Sequence, residues 1–312
     1  MIAFLFPGQG SQAVGMGRAL ADAFPICRDT FAEADAALGA PLSRLIFEGP
    51  AEQLMLTEHT QPAILTVSVA AWRLLASRGL RPAFVAGHSL GEYSAHVAAG
   101  TFEFADAVRI VRNRGRYMQE AVPVGTGAMA AVLGLDEAGV RQACAQAAEG
   151  EVVSPANLNS PGQIVIAGTA AAVARAGEAA RTLGARRVIA LPVSAPFHCA
   201  LMRPAEVRLA PELRALTVRD PEIPVVVNVD GAPRREGAAG IEALVQQVSA
   251  PVRWEDVMAR LASEGVTAYV EVGPGTVLSG LAKKMARGAT ILNFESPDGL
   301  AGVEAVFAGQ AS

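Results

Sequence analysis

The sequence has too few cysteines for a framework of disulfides or zinc ligands. Cys27, Cys144 and Cys199 are the only cysteines in 312 residues, and no two of them have the CxxC spacing. Small secreted domains and zinc modules depend on paired or closely spaced cysteines. We therefore interpret all three as reduced thiols, and we predict no metal site.

The chain also lacks a long apolar segment and an excess of positive charge. No stretch approaches the ~20 apolar residues that cross a bilayer, and the apolar start, Met1 to Phe6, has no basic region before it. These features predict a cytoplasmic protein without a signal peptide or a membrane anchor. With 26 Lys and Arg against 30 Asp and Glu the formal charge is −4, so we expect no binding to nucleic acid or anionic lipid.

The composition of the chain is sufficient for a sizeable buried core, because 51% of the residues are hydrophobic. Short β-rich runs alternate with longer Ala-rich helical patterns, which predicts an α/β fold whose parallel sheet is covered by helices on both faces. The predicted strands are 2–6, 83–86, 225–229, 268–272 and 291–294, and the main predicted helices are 11–24, 62–77 and 106–122.

One internal stretch has a different order of elements. Between residues 125 and 196 the pattern is strand, helix, strand, strand, helix, strand, which is the ferredoxin-like βαββαβ arrangement. We therefore predict a small ferredoxin-like subdomain at 125–196, inserted into a large α/β-hydrolase-like catalytic subdomain made of residues 1–124 and 197–312.

A candidate nucleophile lies between a predicted strand and a predicted helix. Gly87-His-Ser-Leu-Gly91 matches the G-x-S-x-G pattern in the strand–turn–helix context that this pattern requires. The glycines permit a tight turn, and Ser89 would lie at a helix N-terminus, where free N–H groups favour a developing oxyanion. The alternative is a Gly-rich turn whose serine only caps the helix.

A nucleophilic serine needs a base, and the sequence contains four histidines. His88 is expected to point away from the adjacent serine, His96 lies two helical turns further on, and His59 precedes a helix. His198 follows a predicted strand in a Pro-containing loop, and such loops are where α/β sheets present catalytic groups. We predict that His198 is the base.

The acid of a hydrolase triad is missing. Between residues 163 and 198 the only acidic residue is Glu178, in the middle of a predicted helix. This predicts a Ser–His dyad whose imidazole is oriented by something other than a carboxylate. It also argues against an esterase or thioesterase, which shares the serine pattern but passes the acyl group to water.

An arginine lies on the apolar face of the predicted helix 106–122. Arg114 shares the i, i+3/i+4, i+7 spacing of a core-facing stripe with Ala107, Ile110 and Met118. A buried guanidinium without a partner is costly, so Arg114 either pairs with an internal acid or receives an anionic ligand. The second interpretation predicts a fork that binds a substrate carboxylate.

Nearly the whole chain resembles the malonyl-CoA:acyl-carrier-protein transacylases, the acyltransferases of fatty-acid and polyketide synthesis. The resemblance rests on short motifs in a fixed order. They are Phe6-Pro-Gly-Gln-Gly-Ser-Gln12, Thr60-Gln-Pro62, Gly87-His-Ser-Leu-Gly-Glu-Tyr93, Arg114-Gly-Arg-Tyr-Met-Gln119, Gly125-Thr-Gly-Ala-Met129, Asn157-Leu-Asn-Ser-Pro-Gly162, Phe197-His198, Ser249-Ala-Pro-Val252 and Glu271-Val-Gly-Pro-Gly275.

The resemblance implies a role for each candidate. Ser89 would be the nucleophile and His198 the base, and Arg114 would bind the free carboxylate of malonyl. Gln9, in the Gly-rich turn after the first strand, would form the oxyanion hole together with the backbone N–H of Leu90.

The family orients its histidine with a main-chain carbonyl, which fits the missing acid. Gln247 is the predicted source of this carbonyl, and Asn157, Asn159 and Phe197 would line the cleft between the subdomains. The chain departs from the family at Ala250, where Asn is frequent. Phe197 favours malonyl over methylmalonyl, since Phe at this place accompanies malonyl choice in related polyketide acyltransferases.

The predicted function is the transfer of malonyl from coenzyme A to the phosphopantetheine thiol of acyl carrier protein through a malonyl-serine, supplying fatty-acid synthesis. Malonyl-CoA and the carrier protein are substrates, and no permanently bound cofactor is expected. The alternatives are a trans-acting acyltransferase of a polyketide synthase, a thioesterase or esterase, and a catalytically silent assembly subunit.

Because carrier proteins are acidic and this chain is acidic overall, docking needs a local basic patch. One candidate is formed by Lys283, Lys284 and Arg287; the alternative is that these residues form only a solvated helix face.

Overall fold

Two β-sheets lie in the part of the chain that the structure, a computed structural model, describes: residues 1–123, 125–193 and 195–309. The strands are β1 (Ile2–Phe6), β2 (Phe84–Gly87), β3 (Gly127–Leu133), β4 (Val153–Ser160), β5 (Gln163–Thr169), β6 (Arg187–Ala190), β7 (Val225–Val226), β8 (Pro233–Arg234), β9 (Ala268–Val272) and β10 (Thr290–Phe294). The helices are α1 (Arg18–Ala23), α2 (Pro25–Leu38), α3 (Leu42–Glu48), α4 (Ala51–Leu54), α5 (Thr57–Ser77), α6 (Gly91–Ala98), α7 (Phe104–Glu120), α8 (Glu137–Ala147), α9 (Ala170–Thr182), α10 (Arg203–Arg214), α11 (Gly237–Gln247), α12 (Trp254–Ser263), α13 (Val277–Met285) and α14 (Leu300–Ala308).

The larger sheet has six strands in the order β10-β9-β1-β2-β7-β8. Neighbouring strands are parallel except β7 and β8. The buried side chains of β1 alternate between two apolar clusters: Phe4 and Phe6 pack in the cluster that contains α5, and Ala3 and Leu5 in the cluster of α12 and α13. Helices therefore cover both faces, and the predicted α/β fold with a parallel sheet is confirmed.

The smaller sheet has four strands in the order β4-β5-β3-β6, and all neighbouring pairs are antiparallel. Helices α8 and α9 pack on it around an apolar cluster of its own. The order of its elements is the predicted βαββαβ order, so the ferredoxin-like fold is confirmed. The predicted subdomain boundaries stay a prediction, and Val124, Ser194 and residues 310–312 lie outside the described residues.

A short β-bridge ties the edge strand β4 of the smaller sheet to the body of the larger one. The Val252 N–H donates to the Ala156 carbonyl and the Leu158 N–H donates to the Val252 carbonyl, each over 2.8 Å. Because Val252 is part of the apolar cluster under the larger sheet, the two sheets are joined beside the cleft that separates them.

Three predicted elements differ from the structure by more than two residues. The helix predicted at 62–77 begins earlier, at Thr57. The helix predicted at 11–24 begins only at Arg18, because the residues before it form turns that end at Gly17, whose φ of 73° lies outside the right-handed helix. The strand predicted at 225–229 ends at Val226, since the Asn228 N–H binds the side chain of Glu92 instead of a neighbouring strand. None of the described helices has the length and apolar character needed to cross a bilayer.

Candidate active site

Ser89 lies at the apex of a sharp turn between β2 and α6. Its φ of 52° is in the left-handed region, which few residues other than glycine adopt. The turn also requires glycine on either side of it: a Cβ on Gly91 would lie 2.0 Å from the Phe6 carbonyl oxygen, and one on Gly87 would lie 1.9 Å from Gly91. The predicted strand–turn–helix context of Ser89 is therefore present.

Buried amides hold the backbone of this turn in its strained conformation. Asn228 accepts the Ser89 N–H at Oδ1 over 2.7 Å and donates from Nδ2 to the Gly87 carbonyl over 2.8 Å. Gln247 donates from Nε2 to the Ser89 carbonyl over 2.9 Å. A residue in a sparsely populated backbone region persists only when its surroundings fix it, and these hydrogen bonds do so.

His198 lies next to the serine, with Nε2 2.7 Å from Ser89 Oγ. Its other ring nitrogen, Nδ1, is 2.9 Å from the main-chain carbonyl oxygen of Gln247. Because a carbonyl oxygen only accepts, Nδ1 carries the proton and Nε2 presents its lone pair to the hydroxyl. Burial, followed by the nearby charge of Arg114, lowers the pKa of His198 to about 3, so the imidazole is neutral and its Nε2 lone pair faces the hydroxyl.

The other histidines do not contact the Ser89 hydroxyl. Nε2 of His88 hydrogen-bonds Asn159 Oδ1 over 2.8 Å, so that ring points towards the smaller sheet. His96 is buried inside α6 and pairs with Thr101, and His59 pairs with the Gln53 carbonyl.

Arg114, on α7, is 1% exposed and has no carboxylate partner among the residues that the structure describes. Nη1 donates to Gln61 Oε1 over 2.9 Å, and Nη2 donates to Gln247 Oε1 over 3.0 Å and to Ser89 Oγ over 3.1 Å. Nε has no hydrogen-bond acceptor in the same residues, and the guanidinium lies 5.4 Å from the centre of the Tyr93 ring. The arginine is thus partly solvated by neutral amides, next to the Ser89 hydroxyl, and no carboxylate of the described residues forms an ion pair with it.

A buried carboxylate lies behind the turn. Glu92 is fully buried, and its Oε2 accepts the Asn228 N–H over 2.7 Å and Gln247 Nε2 over 3.0 Å. Its Oε1 has no partner in the described part of the chain. Burial is the main cause that raises the pKa of Glu92 to about 7, against the opposing effect of these hydrogen bonds and of Arg114.

The two candidate oxyanion donors flank the serine. Gln9 follows β1 and lines the cleft together with Ser89. Its Oε1 accepts Gln61 Nε2 over 3.2 Å. The N–H of Leu90, at the start of α6, has no hydrogen-bond acceptor among the described residues and remains open to a ligand.

The cleft over Ser89 has a volume of about 660 Å³, which suits an organic substrate. Of the predicted lining residues, Asn157 and Phe197 face it, whereas Asn159 binds His88 and is not part of its wall. The described residues contain no group of three His, Cys, Asp or Glu side chains that could hold a metal ion.

Three residues of this site carried no predicted role: Gln61, Glu92 and Asn228. Gln61 and Glu92 lie inside the motifs quoted for the resemblance, at Thr60-Gln-Pro62 and Gly87–Tyr93, but nothing in a motif states which atoms a side chain contacts. Asn228 lies in no motif and follows a short strand. It falls inside the strand predicted at 225–229, so no sequence signal pointed to it.

The acyl transferase domain family matches residues 3–293 of the chain. The malonyl CoA-acyl carrier protein transacylase of Escherichia coli strain K12 is 54% identical over 300 residues, 96% of this chain and 97% of that protein. The protein of the same name from Bacillus subtilis strain 168 is 50% identical over 298 residues, 95% of this chain and 94% of that protein.

The crystal structure of an acyl carrier protein S-malonyltransferase from Vibrio cholerae superposes with a TM-score of 0.95 at 48% identity, covering 97% of this chain and 99% of that one. A malonyl-transacylase solved in complex with its type II PKS acyl-carrier protein gives a TM-score of 0.94 at 47% identity, with 97% and 98% covered.

Proposed function

The chain belongs to the acyl transferase domain family, and from this premise we propose that it transfers malonyl from coenzyme A to the phosphopantetheine thiol of acyl carrier protein. The observation that carries the proposal is the position of one hydroxyl. Ser89 Oγ lies 2.7 Å from a neutral imidazole and 3.1 Å from a buried guanidinium that has no acid partner among the described residues. Ser89 Oγ is therefore in contact with both a base, His198, and a group that can bind a carboxylate, Arg114.

In the first half-reaction Ser89 attacks the thioester of malonyl-CoA. His198 takes the hydroxyl proton at Nε2, and the Gln247 carbonyl stabilises the imidazolium through Nδ1–H. The oxyanion of the tetrahedral intermediate accepts hydrogen bonds from Gln9 Nε2 and the Leu90 N–H. When the carbon–sulfur bond breaks, the thiolate of coenzyme A takes the proton from His198 and departs as the thiol. The enzyme then carries malonyl on Ser89.

In the second half-reaction the thiol of the carrier protein attacks the malonyl-serine. His198 now removes the thiol proton and returns it to Ser89 Oγ as the ester bond breaks. The chemistry is ping-pong, because coenzyme A leaves before the carrier protein reacts. The chain needs no cofactor for these steps beyond its two substrates, and we place the reaction in the cytoplasm.

Arg114 selects the acyl group. The carboxylate of a malonyl ester on Ser89 is close enough to replace the hydroxyl as the acceptor of Nη2. A planar guanidinium binds a carboxylate through two parallel N–H groups. An acetyl group leaves the same guanidinium without its ligand, and this asymmetry separates substrates by up to about 10⁴ in favourable cases.

The proposal is tested by intact-mass measurement of the protein after mixing with malonyl-, methylmalonyl- or acetyl-CoA. We expect one malonyl adduct with malonyl-CoA, much less adduct with the other two, and none in Ser89→Ala. Ser94→Ala is a matched control, because Ser94 is a buried serine of α6 whose hydroxyl has no partner in the described residues. Absence of the adduct would indicate a silent assembly subunit.

The fate of the adduct separates the remaining alternatives. We expect malonyl-serine to persist in water and to clear when phosphopantetheinylated carrier protein is added, but not with the unmodified carrier. An adduct that clears equally fast without an acceptor would identify a thioesterase. The relative solved with a type II PKS carrier favours polyketide synthesis as the second candidate. Transfer to a fatty-acid carrier and a polyketide carrier should therefore be compared side by side.

A further inference from the structure

Gln61 connects the carboxylate receptor of the site to its oxyanion hole. The side chain is completely buried near the start of α5. Its Oε1 accepts Nη1 of Arg114 over 2.9 Å, and its Nε2 donates to Oε1 of Gln9 over 3.2 Å and to the sulfur of Met118 over 3.9 Å. All the polar atoms of the amide are therefore used, and they are used within the active site.

The approach of two helices creates this connection. A Cβ on Gly115 would lie 2.6 Å from the Thr57 carbonyl oxygen and 2.8 Å from Cα of Glu58. Only glycine therefore allows α7 to pack directly on the first turn of α5. Since Arg114 precedes this glycine and Gln61 lies one turn after Thr57, the close packing brings the guanidinium and the amide within hydrogen-bonding distance.

The chemistry of the guanidinium fixes which way the amide faces. An amide can present either its oxygen or its NH₂ group to a neighbour, but a guanidinium only donates. Gln61 must therefore turn its oxygen to Arg114, and this leaves its NH₂ group facing Gln9. Gln9 must in turn offer its oxygen to that NH₂ group, so its own NH₂ group is left to face the cleft.

We propose that Gln61 is a positioning residue that orients the amide of Gln9, so that the donor side of Gln9 faces the developing oxyanion. The inference rests on the proposed function only in assigning Gln9 to the oxyanion hole. Gln9 is an exposed side chain and, without a buried donor behind it, its amide is free to present the oxygen to the cleft. In that orientation it repels the oxyanion instead of stabilising it.

The arrangement couples two parts of catalysis that are otherwise separate. The Arg114 guanidinium, which receives the malonyl carboxylate, also orients the Gln61 amide. Through this amide it determines whether Gln9 presents its NH₂ group or its oxygen to the oxyanion. Part of the selectivity of Arg114 should therefore be expressed in the rate of acylation and not only in substrate binding. A side chain that merely satisfies Arg114 has no such effect.

Two substitutions of Gln61 distinguish positioning from simple support of Arg114. Gln61→Met keeps the length and removes both polar contacts. Gln61→Glu keeps the shape and gives Arg114 a charged acceptor. Its second carboxylate oxygen then faces Gln9 in place of the NH₂ group. To donate to this oxygen, Gln9 must turn its own NH₂ group away from the cleft. The comparison is made with acetyl-CoA, because a carboxylate at residue 61 pairs with Arg114 and competes with the malonyl carboxylate. If Gln61 only supports Arg114, the Glu variant is at least as active towards acetyl-CoA as the Met variant; if it positions Gln9, the Glu variant is the less active.

The measurement is the single-turnover acylation of Ser89 at saturating malonyl-CoA and acetyl-CoA, alone and in a Gln9→Leu background. We expect Gln61→Glu to lower the rate constant about 10²-fold, which is the effect of losing one oxyanion donor, with a smaller loss for Gln61→Met. In the Gln9→Leu background both losses should disappear with acetyl-CoA, because residue 61 then has no Gln9 amide to orient. The effects of substituting two interacting residues are not additive. Gln246→Met, at an exposed neighbour of Gln247, is the control and should leave the rates unchanged.

A second probe separates this inference from the proposed function. A fluorophosphonate reacts with Ser89 by forming an oxygen–phosphorus bond and releasing fluoride, and its phosphoryl oxygen uses the oxyanion hole without any malonyl group. We expect the labelling rate, measured well below the melting temperature of each variant, to fall in the order wild type, Gln61→Met, Gln61→Glu. If this order is found while malonyl-CoA gives no adduct, the proposed function is wrong and the positioning role stands. If Gln61→Glu is labelled as fast as the wild type or faster than Gln61→Met, the positioning role is wrong.

Discussion

Arg114 shows how one residue can be held ready for a ligand. A guanidinium at 1% exposure has given up most of its water, and amide oxygens and one hydroxyl replace only part of that solvation. A direct ion pair with Glu92 would solvate it better but would occupy the fork. Gln247 prevents this pair, because its amide lies between the two groups, accepting from the arginine and donating to the carboxylate.

Substitution of Arg114 should change acyl-group selectivity more than overall folding. We expect Arg114→Ala to lower the rate of malonyl transfer by about 10²-fold or more while acetyl transfer falls much less, because only malonyl loses a charged contact. Arg114→Lys should restore part of the malonyl rate, as the ammonium keeps the charge but not the bidentate geometry. The check is kcat/KM for the two acyl-CoAs, with the surface variant Arg109→Ala of the same helix as the control. An unchanged malonyl preference in Arg114→Ala would contradict the carboxylate receptor.

At this scale the sequence predicted the candidate catalytic residues and the Gln247 carbonyl beside His198, but it assigned no role to the neutral amides around them. Ser89 was detectable because its pattern lies between a predicted strand and a predicted helix, and His198 because only four histidines compete for the role. Arg114 was detectable because a charge interrupts an apolar stripe. Gln61 and Asn228 are neutral amides, and their importance lies in which hydrogen-bonding atom faces which neighbour, a property that no spacing pattern records.

The element that presents Ser89 is a strand–turn–helix unit held from behind by the buried side chain of Glu92. Glu92 belongs to the first turn of α6 and binds the main chain of Asn228 as well as the side chain of Gln247. Through these two residues it supports the strained backbone of Ser89. The same contact ends the strand that the sequence predicted to continue to residue 229, because the Asn228 N–H is no longer available to a neighbouring strand.

Glu92 should make the stability of the protein depend on pH. Its pKa is raised from 4.5 to about 7 in the folded state, chiefly by burial, with Arg114 and Arg234 as the nearby opposite charges. The carboxyl is therefore protonated more readily in the folded chain than in the unfolded one. Its contribution to stability is complete below about pH 4.5 and is lost as the pH rises through about 7.

The test is the free energy of unfolding in urea for the wild type and Glu92→Gln. Glutamine mimics the protonated carboxyl, so the variant should gain stability relative to the wild type by up to about 1.4 kcal/mol for each pH unit in this window. The buried His96 and His198, whose pKa values burial lowers to about 3, act in the opposite direction but equally in both proteins. Glu48→Gln, at an exposed carboxylate, should give a curve parallel to the wild type. A parallel curve for Glu92→Gln would mean that Glu92 has an ordinary pKa.

At the scale of the whole molecule, the site exists because two independently packed sheets meet at one cleft. Ser89 and Gln9 follow strands of the larger sheet, and Asn157 and the partner of His88 belong to the smaller sheet. The bridge at Val252 and the hydrogen bond between His88 and Asn159 join them on the same side. The alternation of strands and helices predicted each sheet, but residues far apart in the chain make these links, and the sequence therefore did not reveal them.

The distribution of charge over the molecule has a consequence for the carrier protein. The chain is acidic overall, with a formal charge of −4, so an acidic partner needs a local attraction. Lys283, Lys284 and Arg287 are exposed at the end of α13, and none of them pairs with a carboxylate in the described part of the chain. Lys284 also reaches across to the smaller sheet, where its ammonium donates to Gln163 Oε1 over 2.6 Å.

Reversing this patch should weaken the second half-reaction and leave the first unchanged. We expect Lys283→Glu combined with Lys284→Glu to raise KM for the carrier protein on the order of tenfold, since exposed charge pairs contribute up to about 1 kcal/mol each. The effect should shrink with added salt, because ions screen exposed charges. Acylation by malonyl-CoA should stay the same, as the patch does not line the cleft. Arg28→Glu, at an exposed arginine of α2 with no ion pair among the described residues, is the matched control. An unchanged KM in the reversed protein would mean that the three cations form only a solvated helix end, and that the carrier protein approaches the cleft from another side.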